Sequence, residues 1–276
     1  MLGHLLKHEF RATGRTMLPV YAAVVVLAVL ANFSIRVIDR SVHTLLTIFC
    51  GLIIAAFVVG IIAAGIMTVV MMIKRFYTNY LKDEGYLMHT LPVSVHELVW
   101  SKMIVSVVWF AATFLVICLV ILLTALLQTG TSLAQFFAGF PSWAEIREGL
   151  DQYGIRLGDL WVIGLEMLLA VVVAGLYTCL HFYAAMSLGH MFAKDKILLS
   201  IVFFVGISFV LSLATTGYGS ARVISFESSE AALETVQESF RFGKAIMGEM
   251  LAVELVQSAV LYVATVLGLK RGLNLA

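Results

Sequence analysis

The chain has 276 residues, of which 61% are hydrophobic and only 13% charged, with a formal charge of +1 at pH 7. Soluble domains carry about 25% charged residues, so this composition excludes an ordinary water-soluble globule, and the balanced charge gives no sign of a nucleic-acid partner. What remains is an all-α polytopic membrane protein.

A helix crosses the hydrocarbon core with roughly 20 apolar residues. Six segments approach that length, at about 17–35, 46–73, 103–127, 161–187, 197–215 and 250–269. Backbone groups in lipid must be satisfied internally, so each span is expected to be a transmembrane helix within a single domain, 1–276. Ahead of the first span, residues 1–16 are amphipathic. Leu2, Leu5, Leu6 and Phe10 share one face, with His4, Lys7, His8, Arg11 and Arg15 off it. This pattern predicts an interfacial connecting helix lying in the headgroup region before the chain turns into the membrane at Pro19. A cleaved signal peptide ending near Val29–Ala31 is the rival reading, opposed by Glu9 and by the amphipathic pattern.

Six spans place both termini on one side. Lys7, Arg11, Arg15, Lys74, Arg75, Lys82, Lys102, Lys194, Lys196, Lys270 and Arg271 collect on the face that holds the termini and residues 74–102. The other face has fewer basic residues, spread over longer acidic loops, so the positive-inside bias puts both termini in the cytoplasm of a cell-membrane protein. On the outer side, loops are expected at 128–160 and 216–249. Ser142 and Glu145 form a capping box that opens a short surface helix. Glu230, Glu234 and Glu238 recur every fourth residue in a helix leading into span six.

Cys50, Cys118 and Cys179 lie within apolar segments and read as small buried hydrophobes. No G-x-x-x-x-G-K-[ST] phosphate loop, H-E-x-x-H or G-x-S-x-G occurs in the sequence, so no ATP-hydrolysing, metal or nucleophile motif marks the chain as an enzyme. Two acids fall inside spans, Glu166 in the fourth and Glu254 in the sixth. Charge in lipid is expensive, and both sit in the outer half, Glu166 about 7–8 Å beyond Trp161. Each is a transport-path polar residue or a structural one. His181 reads as a hydrogen-bonded core histidine. In span two, Gly60 and Ala64 form a small-residue pair that suits close helix packing within the bundle or across a dimer.

Residues 74–102 are the densest polar stretch of the chain. Span two is expected to run past Lys74 and end near Gly85. After Pro92, Ser94 and Glu97 form a second capping box, with Val93 and Leu98 as a hydrophobic staple, opening the helix of span three. Between these signals, Asp83–Leu91 exposes Tyr86, Leu87, Met88 and Leu91 beside acids, a composition that suits docking to another protein.

The N-terminal Leu-Leu-Lys-His-Glu-Phe-Arg-Ala, the stretch Arg75-Phe-Tyr-Thr-Asn-Tyr-Leu-Lys-Asp-Glu-Gly-Tyr-Leu-Met-His-Thr-Leu-Pro-Val-Ser94 and the six-span layout resemble permease subunits of bacterial type-2 ATP-binding-cassette (ABC) exporters. The resemblance implies a coupling helix at about Lys82–Leu91 that sits in a cleft of a cytoplasmic ATPase subunit. Its ATPase-coupling residues would be Lys82, Asp83, Glu84, Gly85, Tyr86, Leu87, Met88 and Leu91. It also implies a second permease, identical or not, and ATP with magnesium on the ATPase rather than on this chain. The chain departs from a minimal permease in its larger outer loops. On this reading it couples ATP hydrolysis elsewhere to export of a hydrophobic or amphipathic substrate such as a drug, a peptide antibiotic or a lipid. The alternatives are an ion-coupled secondary transporter using Glu166 and Glu254, and a membrane scaffold or sensor with ligand-binding outer loops.

Overall fold

The computed structural model describes residues 2–39, 43–81, 94–130, 132–192, 195–227 and 236–271. Among these the chain is all-helical: α1 (Leu2–Ile38), α2 (Thr44–Phe76) with a π-helical turn at Tyr77–Leu81, α3 (Val95–Thr129), α4 (Leu133–Ala138), α5 (Trp143–Gln152), α6 (Leu157–Gly189), α7 (Lys196–Glu227) and α8 (Val236–Arg271). Six of these helices are long and apolar enough to cross a membrane, and large apolar side chains such as Phe33, Leu45, Leu52 and Phe209 are exposed on them. In lipid such exposure costs nothing, so the chain is a multi-pass membrane protein.

Every long helix outruns its apolar window. At 1.5 Å per residue, the 37 residues of α1 span about 55 Å against a hydrocarbon core of about 30 Å. The expected turn at Pro19 is absent, and Pro19 lies inside a helix that continues from Leu2. A proline leaves one carbonyl without its partner, here that of Arg15, a defect that membrane helices tolerate. Residues 2–16 are therefore continuous with the helix of the first span. The boundaries of the later spans also move. Helix α7 continues to Glu227, and α8 begins at Val236, so most of the stretch expected as an outer loop at 216–249 is helical. Glu230 and Glu234 lie outside the described residues.

The chain divides into two compact units, Met1–Arg75 with Trp100–Phe140, and Phe76–Val99 with Pro141–Ala276. In the first, Val24, Ala28, Ala31, Phe57, Ala64 and Val120 form one apolar cluster and Met17, Tyr21, Met71, Val105 and Trp109 another. The small pair of α2 is spent inside this unit. Ala64 is buried, and a Cβ on Gly60 would lie 2.9 Å from Leu27 Cδ1. Cys50 is buried, whereas Cys118 is exposed, against expectation. A polarizable thiol is compatible with an apolar surface facing lipid.

Beside the apolar clusters runs a polar seam. Glu9, Thr13, Met17 and Tyr21 recur every four residues on α1 and are all buried. Glu9 pairs with buried Lys102 of α3. Thr13 Oγ1 accepts from Trp109 Nε1 at 2.8 Å. The Tyr21 hydroxyl meets Thr113 Oγ1 at 2.7 Å, and Thr113 in turn meets Thr68 of α2 at 2.8 Å. Residues 102, 109 and 113 fall on one stripe of α3, so two helical periodicities align the rungs.

In the second unit, α6 packs on both α7 and α8, and its burial is uneven along its length. Its buried residues run from Val173 to Gly189, and nothing from Leu157 to Val172 is buried. The tight end is set by two glycines. A Cβ on Gly189 would fall 2.5 Å from the Ser200 nitrogen, and one on Gly268 would fall 2.8 Å from Ser187 Oγ. His181 is a core histidine as expected, hydrogen-bonded to Ser208 at 2.9 Å, and Cys179 is buried beside it in sequence.

Removing one partner of a buried ion pair strands the other, at about 3–5 kcal/mol. Lys102→Met is therefore expected to lower stability by that amount, and adding Glu9→Gln should restore most of it. Thermal unfolding of the purified variants in detergent measures both.

Candidate functional site

Lys82–Leu91, with its coupling residues Lys82, Asp83, Glu84, Gly85, Tyr86, Leu87, Met88 and Leu91, lies outside the described residues, as does Val93 of the expected staple. Its two flanks are described, and both belong to the second unit. On the entering side, α2 ends in the π-helical turn that buries Tyr80 and Leu81. Phe76 stacks on Tyr183 of α6 with ring centroids 4.0 Å apart and planes 9° from parallel. Aromatic pairs of this kind hold at about 0.5–1.5 kcal/mol beyond the area they bury. Tyr77 sits edge-on to His190, 5.5 Å between centroids.

On the leaving side, the expected capping box is present. The Glu97 amide donates to Ser94 Oγ, and Glu97 Oε2 accepts from the Ser94 amide, both at 3.2 Å. Leu98 is buried. The two flanks are tied to each other because the Tyr80 hydroxyl donates to the Leu98 carbonyl at 2.9 Å. A further tie runs to α8, where His96 Nδ1 and Tyr262 Oη are 2.6 Å apart. Residues 82–93 thus leave from and return to fixed points on one body.

His190 closes the same end, in the turn between α6 and α7. Its Nδ1 hydrogen-bonds to the Met186 carbonyl at 2.9 Å. Burial pushes its imidazole below the ordinary 6.5, the bond to Met186 opposes this, and the Lys196 charge adds to the downward shift.

At the other end of the second unit the less buried half of α6 borders a cleft. Its volume is about 710 Å³, and its lining includes Arg156, Asp159, Glu166, Arg241, Lys244, Gly248 and Glu249. Lys244 Nζ pairs with Asp159 at 2.6 Å. Glu249 receives Arg222 through two bonds, at 2.7 and 2.8 Å, and the Tyr218 hydroxyl at 3.0 Å. Gln257 Nε2 donates to Thr215 at 2.9 Å a little further along α8. Glu166 has no such partner, and its Oε2 is shut off from solvent without a donor among the described residues. Its Oε1 stands 3.5 Å from where a Cβ on Gly248 would be.

Of the two acids singled out in the sequence, only Glu166 lines this cleft. Glu254 is half-buried on α8. Arg156, Arg241 and Lys244 carry no special signal in the sequence, where they read as loop charges. The Ser142–Glu145 box opens α5 as expected. A third box, Ser132 with Gln135, opens the short α4.

Because the folded state disfavours the charged imidazole, His190 contributes stability above about pH 6.5 that is lost as the pH falls through that value. Hydrogen exchange over residues 186–192, corrected for its intrinsic pH dependence, is expected to quicken on acidification from about pH 7.5 to about pH 5. His190→Asn should flatten the response.

Comparison of the chain with models of known families, with curated proteins and with solved structures finds no match. The resemblance to type-2 ABC permeases rests on the residues quoted for it.

Proposed function

We propose that this chain is the membrane-spanning subunit of an ATP-driven exporter of the type-2 ATP-binding-cassette class. In this reading it sits in the cell membrane with both termini in the cytoplasm and works with a second permease. A separate ATPase subunit, carrying ATP and magnesium, grips Lys82–Leu91. Closure of the ATPase then moves the membrane helices and drives export of a hydrophobic or amphipathic substrate.

The observation that carries the reading is the anchoring of the segment's flanks. A loop without a task needs no fixed ends, whereas a handle transmits force only if its ends are rigidly held. Here the ends are held by the Phe76–Tyr183 stack, the Tyr80–Leu98 hydrogen bond and the Ser94 cap. The chain also crosses between its two compact units at Arg75/Phe76 and at Val99/Trp100. A pull on Lys82–Leu91 therefore acts on α6 through side-chain contacts and on α2 and α3 through covalent bonds. The six membrane-length helices, the missing phosphate loop and the basic bias of this face are all in keeping with that role.

The test uses this chain co-expressed with its ATPase subunit in proteoliposomes. Replacing Asp83, Glu84 and Gly85 together is expected to bring substrate-stimulated ATP hydrolysis and transport down to the unstimulated level, with membrane insertion unchanged. Transport at the wild-type rate would refute the proposal.

A further inference from the structure

The charges of the cleft in the second unit are ordered along its depth. Arg156 precedes α6 and Arg241 lies in the second turn of α8, so both stand at the mouth. Neither side chain is in an ion pair among the described residues. The Asp159–Lys244 pair forms a neutral wall at mid-depth. Glu166 stands at the floor beside Gly248. Ten residues separate Arg156 from Glu166, about 15 Å along α6, and seven separate Arg241 from Gly248, about 10 Å along α8. The backbone positions of the arginines at the mouth and of the floor are thus about 10–15 Å apart along the helix axes.

Glu166 lines the cleft, only its Oε2 being shut off from it, and a primary ammonium supplies N–H donors to a carboxylate that has none among the described residues. The two arginines at the mouth suit a carboxylate, which guanidinium groups bind through paired N–H bonds. A molecule satisfying both ends is a long zwitterion. An extended peptide advances about 3.3–3.6 Å per residue, so three or four residues with free termini match the separation. The 710 Å³ of the cleft falls within the roughly 300–1,000 Å³ of small-molecule sites. A Cβ on Gly248 would stand in ordinary contact with Glu166 Oε1, at 3.5 Å, so a branched side chain there would extend further into the floor.

We propose that this cleft binds a short peptide, or a zwitterion of that length, with its ammonium on Glu166 and its carboxylate between Arg156 and Arg241. The inference does not depend on ATP coupling, and its test contains no ATPase.

The probe is tetraalanine with free termini, titrated by calorimetry against the full chain in nanodiscs. Binding is expected, and it should weaken by about tenfold on N-acetylation and again on C-terminal amidation, each loss corresponding to about 1.4 kcal/mol. Dialanine, too short to span, should bind no better than the blocked peptides. Glu166→Gln should weaken the free peptide about tenfold while leaving the N-acetylated one unchanged, a pattern that general loss of structure does not give. Gly248→Val, which keeps every charge, should weaken all the peptides by occupying the floor. The proposal is overturned if tetraalanine does not bind, if acetylation leaves its affinity unchanged, or if Glu166→Gln binds it as the wild type does.

Discussion

A charge buried between packed helices is costly unless it is paired. In the first unit that constraint is met by Glu9 and Lys102, both buried. The pair fixes the register of α1 against α3, since a slip of even one residue would leave two charges unmatched. The Thr13–Trp109 and Tyr21–Thr113 rungs then fall into place at the spacing that helical periodicity allows. Apolar packing alone would specify this register poorly, because one valine or alanine face resembles the next. The uninterrupted course of α1 through Pro19 follows from the same pairing, since Glu9 on one side of the proline and Tyr21 on the other both dock on α3.

The second unit solves a different problem. Its helices are locked at one end by glycines that admit neighbouring backbone and by the aromatic stack on Tyr183. At the other they border a charged cleft and are bridged by the Asp159–Lys244 and Arg222–Glu249 pairs. The locked end is the one that carries the flanks of Lys82–Leu91, and Glu166 lies about 36 Å away from His190 along α6.

Much of this fold is legible in the sequence because it depends on local signals. Hydropathy marks six spans, and the Ser94 and Ser142 boxes mark two helix starts, each signal being contained within a few residues. The failures are equally physical. Helix α7 was expected to stop near residue 215 because its last turns are polar. Polar residues such as Tyr218 and Arg222 extend a membrane helix comfortably once Glu249 of α8 meets them. Glu9 gives no local sign of a partner, and Lys102 is 93 residues distant, beyond any periodicity. The charge order of the cleft was hidden for the same reason. Arg156 and Arg241 are unremarkable loop charges until α6 and α8 are placed side by side.

The central claim is that Lys82–Leu91 is the surface an ATPase grips, and contact is a more direct test of it than activity. A photoreactive amino acid at Tyr86, and another at Trp143 on α5 as the control, can be irradiated in cells that co-express a phosphate-loop ATPase with this chain. A crosslink to the ATPase from position 86 and none from position 143 is the expected result. Equal crosslinking from both positions, or none from position 86, would contradict the account.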